Sequence, residues 1–396
     1  MNRRTQTVSR GANRCASLSC SVQAFQPPAT RSRYGALVSS GKVLLVWLGR
    51  RPYHLLVSAK PIHSIGFEPD ESKVKAVRSA LISWYEKNGR DLPWRRTRDP
   101  WSILVSEVML QQIQVKRAIP FYEAFLARFP TARALAEAPL SEAIKAWGDL
   151  GRYRRVVSLH KTARILVEQF DGEIPSDPKV LVGLPGIGSY TAGAVACFAF
   201  EEDAAFLDSN VRRVLHRLFF GAEVPEPFAT ERELERLAEA MVPRGRGWKW
   251  GQSSIEFGAT QCTARKPLCE SCPLSALCAA QPMIRGLLAS LPRGEKATYR
   301  YEGSNRYYRG RVLAVLCEAP GGGVPLRELG KGLREDFGEE ELPWLRGVVE
   351  SLEKDGLVRV SSARDWSQTV IEERARRGTR CLDSPPYGGT TRVSLP

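Results

Sequence analysis

The chain has 396 residues, 43% of them hydrophobic and 26% charged, with a formal net charge of +15. That length holds two or three domains, and that balance excludes a wholly disordered or fibrous chain. A membrane-spanning helix needs roughly 20 apolar residues, and the leader's longest apolar run, 43–48, stops at Gly49 and the Arg50-Arg51 pair.

The charge is unevenly placed. Residues 1–67 carry ten Lys and Arg and no acid, so only +5 remains for 68–396. A mildly basic body suits a protein that meets a polyanion on one face but does not require one. Residues 1–67 are rich in Ser, Arg and Ala and weakly periodic. They read as a basic, disordered and non-essential leader, with a transit-type segment or an over-extended reading frame as the alternatives.

From about Glu71 the apolar spacing turns helical: Val77, Leu81, Trp84 and Tyr85 share one face. Further helices are expected at 101–117, 119–128, 141–147, 154–170, 189–200, 209–220, 230–241 and 248–258, with Pro-, Gly- and Asp-bearing loops between them. No alternating strand is expected before residue 300, so the core (68–283) is all-α. Residues 284–305 read as a linker. Three helices then follow, at 312–317, 325–333 and 342–352, with strands at 357–360 and 369–371. That order makes 306–372 a small winged-helix-like domain, and 373–396 reads as a disordered tail.

Four motifs bear chemistry. In Leu184-Pro185-Gly186-Ile187-Gly188, two glycines allow a tight turn before a helix whose free N–H groups can seat a phosphate. A packed helix–helix turn explains the same residues equally well. Four of the nine cysteines, Cys262, Cys269, Cys272 and Cys278, fall within seventeen residues, which reads as one metal centre in a reducing compartment. Structural zinc more often uses two Cys-x-x-Cys pairs, and only one is present. Arg265 and Lys266 on that loop suit a phosphate backbone, or simple solvation.

The run 106–115 places Glu107, Gln111 and Gln114 within a wedge of roughly 60° on an otherwise apolar helix. Such a stripe lines a wet cleft, where a desolvated carboxyl becomes a general acid, or it is an ordinary solvent-facing stripe. Asp208 stands just before a helical run, where an N-cap is the plain explanation.

Taken together and in this order, the motifs resemble the helix–hairpin–helix DNA glycosylases with an iron–sulfur cluster, and among them the MutY-type adenine DNA glycosylases. The resemblance covers about 71–280 and includes Leu92-Pro93-Trp94. It implies a [4Fe-4S] cluster on the four cysteines and a double-stranded DNA partner bearing a mispaired adenine, bound by a monomer. Cytoplasmic, nucleoid-associated placement is expected in a prokaryote.

By position, Glu107 corresponds to the acid that protonates adenine, and Asp208 to the carboxylate that stabilises the sugar cation. Arg90, Leu92 and Trp94 lie near the extruded base. Gln252 recognises that base, Gln111 is a further substrate- or DNA-binding residue, and Gln112 enters the DNA stack. Tyr190 occupies the place of the lysine nucleophile of endonuclease III-like relatives, which implies base release without strand cutting. The usual second domain that senses 8-oxoguanine has no counterpart pattern in 284–396. A thymine or uracil mismatch glycosylase of the same fold and a non-catalytic iron–sulfur DNA-binding protein are the two rival readings.

Overall fold

The computed structural model describes residues 68–224, 227–291, 300–319, 323–361 and 391–396, plus the backbone of three strands between 36 and 55. It divides into two units, 1–67 and 68–396. In the first, β1 (Ala36–Ser39), β2 (Val43–Leu48) and β3 (Arg51–Leu55) form an antiparallel meander with Ala36 opposite Val46 and Leu44 opposite Leu55. This corrects the expectation of no strand before 300. The run 43–48, far too short to span a membrane, is rich in residues that favour extended backbone.

The second unit opens with α1 (Glu71–Asn88), capped by Asp70, whose carboxylate accepts Ser72 N–H at 2.9 Å. It buries Val74, Val77, Leu81 and Ile82 along one face. There follow α2 (Pro100–Leu110), α3 (Val115–Arg128), α4 (Ala132–Glu137), α5 (Leu140–Trp147), α6 (Arg154–Phe170), α7 (Pro178–Leu181), α8 (Ser189–Ala199), α9 (Ser209–Phe219), α10 (Glu231–Met241) and α11 (Gly247–Thr260). Two of these, α2 and α8, are buried almost all round and pack on each other at the centre. On one side α3, α5 and α6 pack together, and on the other α1, α9, α10 and α11. The two groups therefore meet along α2 and α8.

One expected helix is in fact two. The run 101–117 breaks after Leu110: Gln112 adopts φ +57° and α3 begins only at Val115. Gln114 becomes the N-cap of α3 rather than a member of a stripe with Glu107. Three polar side chains among four residues (Gln111, Gln112 and Gln114 about Ile113) give the chain little to bury there, so nothing opposes the break.

Beyond the core, α12 (Gln281–Ser290) occupies part of the expected linker and buries Ile284 against Ala222 and Ala280. The appended unit consists of α13 (Asn305–Glu318), α14 (Leu326–Leu333), α15 (Leu342–Lys354) and a sheet of β4 (Val324–Pro325), β5 (Arg359–Ser361) and β6 (Arg392–Ser394). The sheet order is β4-β6-β5, all antiparallel, with Val393 opposite both Val324 and Val360. The end of the chain is thus not the free tail expected from its composition. Val393 is fully buried, and pairing on both sides satisfies the backbone of β6 in a way no local pattern reveals. The expected strand 369–371 lies outside the described residues.

The appended unit leans on the core. Among its contacts, α13 packs on α5 and on the 148–150 turn, and Arg154 faces Asp355 at 3.7 Å. Among the described residues no helix is long and apolar enough to cross a membrane. Val393→Asp places an unpaired charge at the centre of the small sheet, at a cost of about 3 kcal/mol or more. Hydrogen exchange should accelerate in 323–361 and stay unchanged in 71–260.

Candidate active site

Glu107 lies in the third turn of α2 and is only 6% exposed. Its neighbours on the helix are apolar and buried, so water cannot solvate the anion. Burial pushes its carboxyl from the usual 4.5 up to about 7, with nearby Asp208 raising it further and the Tyr190 hydroxyl and Arg95 pulling the other way. Tyr190, the second residue of α8, donates its hydroxyl to this carboxylate; burial and the two carboxylates hold its own proton well above the ordinary phenol range. Its ring meets Phe206 edge-on at 5.7 Å.

Asp208 is the N-cap of α9. Its carboxylate accepts Val211 N–H at 2.6 Å, Asn210 N–H at 2.9 Å and the Asn210 side-chain amide at 2.7 Å. Burial raises this carboxyl too, while those donors and Arg213 favour the anion. The cap explanation and the functional one are therefore the same geometry: capping fixes the carboxylate beside Tyr190 and Glu107. One group tends to hold its proton near neutrality while its neighbour is furnished with donors for the anion, an environment split suited to acid–base work.

A second cluster sits across α11. Glu256, fully buried, pairs with Arg90 at 2.5 Å and Arg95 at 2.9 Å. Burial alone would raise its carboxyl, but the two guanidinium groups outweigh burial and hold it lowered. Arg95 also donates to Gln252 at 2.7 Å and to the Arg90 carbonyl at 2.9 Å. Gln252 is thereby oriented, its carbonyl oxygen engaged and its amide nitrogen left to donate. Leu92 is buried and Trp94 packs edge-on against Tyr122 at 5.4 Å, so both shape the wall. Sequence reasoning named Arg90 and Gln252 but missed Arg95 and Glu256. The signal was present, since Gln252 and Glu256 are four apart on one helical face.

At the hairpin, Gly186 has φ +79° and lies so close to Ser158 that an added Cβ would meet its Cβ at 2.7 Å. Thr162 pins the turn by donating to the Pro185 carbonyl at 3.0 Å. Gly188 caps α8 with open space above it, leaving the first-turn amides accessible. Gln111 reaches back to Thr191 at 3.4 Å, and Gln112 is exposed.

The four cysteine thiols line one cavity together with Arg217 and Ile284. Among the described residues no three Cys, His, Asp or Glu side chains form a group that could hold a single metal ion. Four thiols lining one cavity are the donor set that a [4Fe-4S] cluster takes. The donor set fits as well: Arg217, 1% exposed, lies 3.6 Å from Cys262 Sγ and donates to the Thr263 and Ala264 carbonyls at 2.8 and 3.1 Å. Arg213 grips the Cys262 and Gly258 carbonyls. A cluster bound there would brace the loop that presents Arg265 and Lys266, both exposed and unpaired among the described residues.

The raised Glu107 carboxyl has a measurable cost. The unfolded chain ionises at 4.5 and the folded chain at about 7, so folding stability falls as pH rises between these values and levels off above them. The difference amounts to roughly 3 kcal/mol. Thermal melts of Glu107→Gln and the parent should coincide near pH 4.5 and diverge in favour of the variant up to pH 8.

Comparison with known proteins agrees with this geometry. Residues 105–240 match the family model of the HhH-GPD superfamily base excision DNA repair proteins, and 262–278 match the iron–sulfur binding domain of endonuclease III. An adenine DNA glycosylase of Mycolicibacterium smegmatis is 43% identical over 243 residues, covering 60% of this chain and 80% of that relative. The human adenine DNA glycosylase is 38% identical over 254 residues, covering 61% of this chain but only 46% of the human protein. The solved structure of a thermostable thymine-DNA glycosylase superposes with a TM-score of 0.50 at 32% identity, covering 54% of this chain and 98% of that one. A buried acid, a capped carboxylate, a glycine hairpin and an iron–sulfur loop thus stand on a frame shared with these enzymes, and the chain belongs to the adenine DNA glycosylase family of helix–hairpin–helix, [4Fe-4S] base-excision repair proteins.

Proposed function

We propose that this chain releases adenine mispaired with guanine or 8-oxoguanine in double-stranded DNA, leaving an abasic site and an uncut strand. The observation that carries the reading is Glu107, a buried carboxyl raised to about 7 beside Asp208. Adenine is a poor leaving group until a ring nitrogen is protonated, and a carboxyl with its pKa near the working pH is the efficient donor. The Tyr190 hydroxyl donates to the Glu107 carboxylate and orients it without supplying a nucleophile, because its own proton is held tightly. Asp208, fixed by three N–H donors, stands ready to stabilise the developing sugar cation.

Extrusion of the base costs a few kcal/mol, less at a mismatch. Gly186, Gly188 and the cations of the cysteine loop hold phosphates during that step, and Gln112 fills the vacated stack. Its left-handed backbone, unusual for a residue other than Gly, Asn or Asp, holds an exposed amide side chain out from the fold. Arg95 and Glu256 hold Gln252 to donate to the flipped purine.

The likeness to a thymine-DNA glycosylase makes a pyrimidine mismatch enzyme the rival. A duplex panel of A·G, A·8-oxoguanine, T·G and U·G with alkali cleavage separates them: release from the first two only is expected, and T·G release without A·G release would replace the adenine reading. Glu107→Gln should lower single-turnover release by about 10²–10⁴ while duplex affinity holds. In the parent, that rate should fall about tenfold per unit above pH 7, as Glu107 loses its proton, and fall again at low pH, as Asp208 gains one.

A further inference from the structure

Where α6 meets the appended unit, two charged residues sit at ends of helices that oppose them. Arg154 is the first residue of α6, at the positive end of the helix dipole. Arg152, with φ +50°, and Arg155 flank it, and the first turn holds no acid. Burial, with Arg152 adding to it, lowers the Arg155 guanidinium to about 10. Asp355 has the converse problem. It is the C-cap of α15, where the free carbonyls make the helix end negative.

The fold sets these two ends against each other. Gly356, with φ +72°, turns the chain after Asp355 and lies so near α6 that an added Cβ would meet Val157 at 3.9 Å. One oxygen of Asp355 thereby faces Arg154 at 3.7 Å, and Arg309 of α13 holds the other at 2.5 Å. The two pairs differ. Arg309 and Asp355 are both largely covered, whereas the Arg154 side chain is 79% exposed. The carboxylate is thus fixed from its own unit and only lightly engaged from the core, since an exposed pair of that length holds weakly. Arg154 also looks toward the glycine hairpin. With Arg155, Pro185, Gly186 and Ile187 it lines a cavity of about 130 Å³.

We infer that Arg154 is a contact for the phosphate backbone of duplex DNA beside the hairpin, and that Asp355 occupies it in the free protein as a stand-in anion. The inference rests on the reading of the hairpin as a seat for DNA phosphates. An entering duplex draws the Arg154 guanidinium away from the carboxylate, which stays behind on Arg309. That fixed anion then stands within a Debye length of the backbone and repels it. The appended unit is therefore a brake on duplex binding rather than a second grip. Its charge agrees: residues 300–396 carry 16 Lys and Arg against 15 Asp and Glu, which offers a polyanion almost no net attraction. Neither Arg154 nor Asp355 reads a base in this role, so the brake acts on every sequence alike and hastens release of intact DNA.

The test is the affinity of the full chain for an intact, fully paired duplex across a salt series. Arg154→Gln should weaken binding and lower the slope of log affinity against log salt by about 1. Asp355→Asn keeps an acceptor for Arg309 but removes the charge. It should tighten binding roughly threefold to tenfold at about 50 mM salt, with the gain fading as salt rises. In the Arg154→Gln background the same change should lose most of its effect. An equal gain in both backgrounds overturns the masking of Arg154, and no gain, or a loss, overturns the brake. An unchanged salt slope in Arg154→Gln overturns the phosphate contact. That arm leaves the Arg309 pair in place, so it decides even where Asp355→Asn loosens the appended unit. The duplex holds no mispair, so a failure here leaves the adenine reading untouched.

Discussion

Burial of one carboxyl in α2 sets the terms for the rest of the core. An acid at the centre of a helix whose other faces are apolar can stay there only if it keeps a proton or finds donors, because the desolvated anion is too costly. The fold accepts a partial answer, a tyrosine hydroxyl and a distant guanidinium, and leaves the carboxyl poised. That requirement explains why α2 and α8 must be so thoroughly buried. Any slackness letting water reach Glu107 would return it to the range of an ordinary surface glutamate.

The same economy appears in α9. At its start, Asp208 satisfies the free N–H groups of the helix and thereby becomes a fixed anion at the cleft. Further along, Arg213 and Arg217 leave the helix to hold the backbone of the cysteine loop. One short rod thus spaces the acid cleft from the metal loop, and neither end can shift without the other. Glu223 neutralises Arg217 at 2.5 Å, so the deeply buried guanidinium is paired as well as hydrogen-bonded.

Much of this was legible in the sequence. The all-α core, the hairpin and the cysteine loop follow from apolar spacing, glycine placement and cysteine spacing, since each depends on residues near one another in the chain, whereas the pair Glu107 and Asp208 was legible only through the family resemblance that the order of the motifs carries. The illegible parts depend on long-range partners. Arg95 and Glu256 are 161 residues apart and become a pair only when α11 closes on the segment after α1. The left-handed backbone at Gln112 and Arg152 leaves no mark in composition, because neither is a glycine. The break after Leu110 defeats a helical wheel, which assumes that the helix continues.

The place of β6 in the small sheet bears on how that unit assembles. Its strand order puts a segment from 392–394 between two strands that lie some 30 to 70 residues earlier. Until it arrives, β4 and β5 each expose an unpaired edge across a gap one strand wide. Closing a sheet through so distant a segment is slow compared with forming the three local helices. The gap does not distinguish its own strand from that of another molecule, since both bring the same valine in the same register.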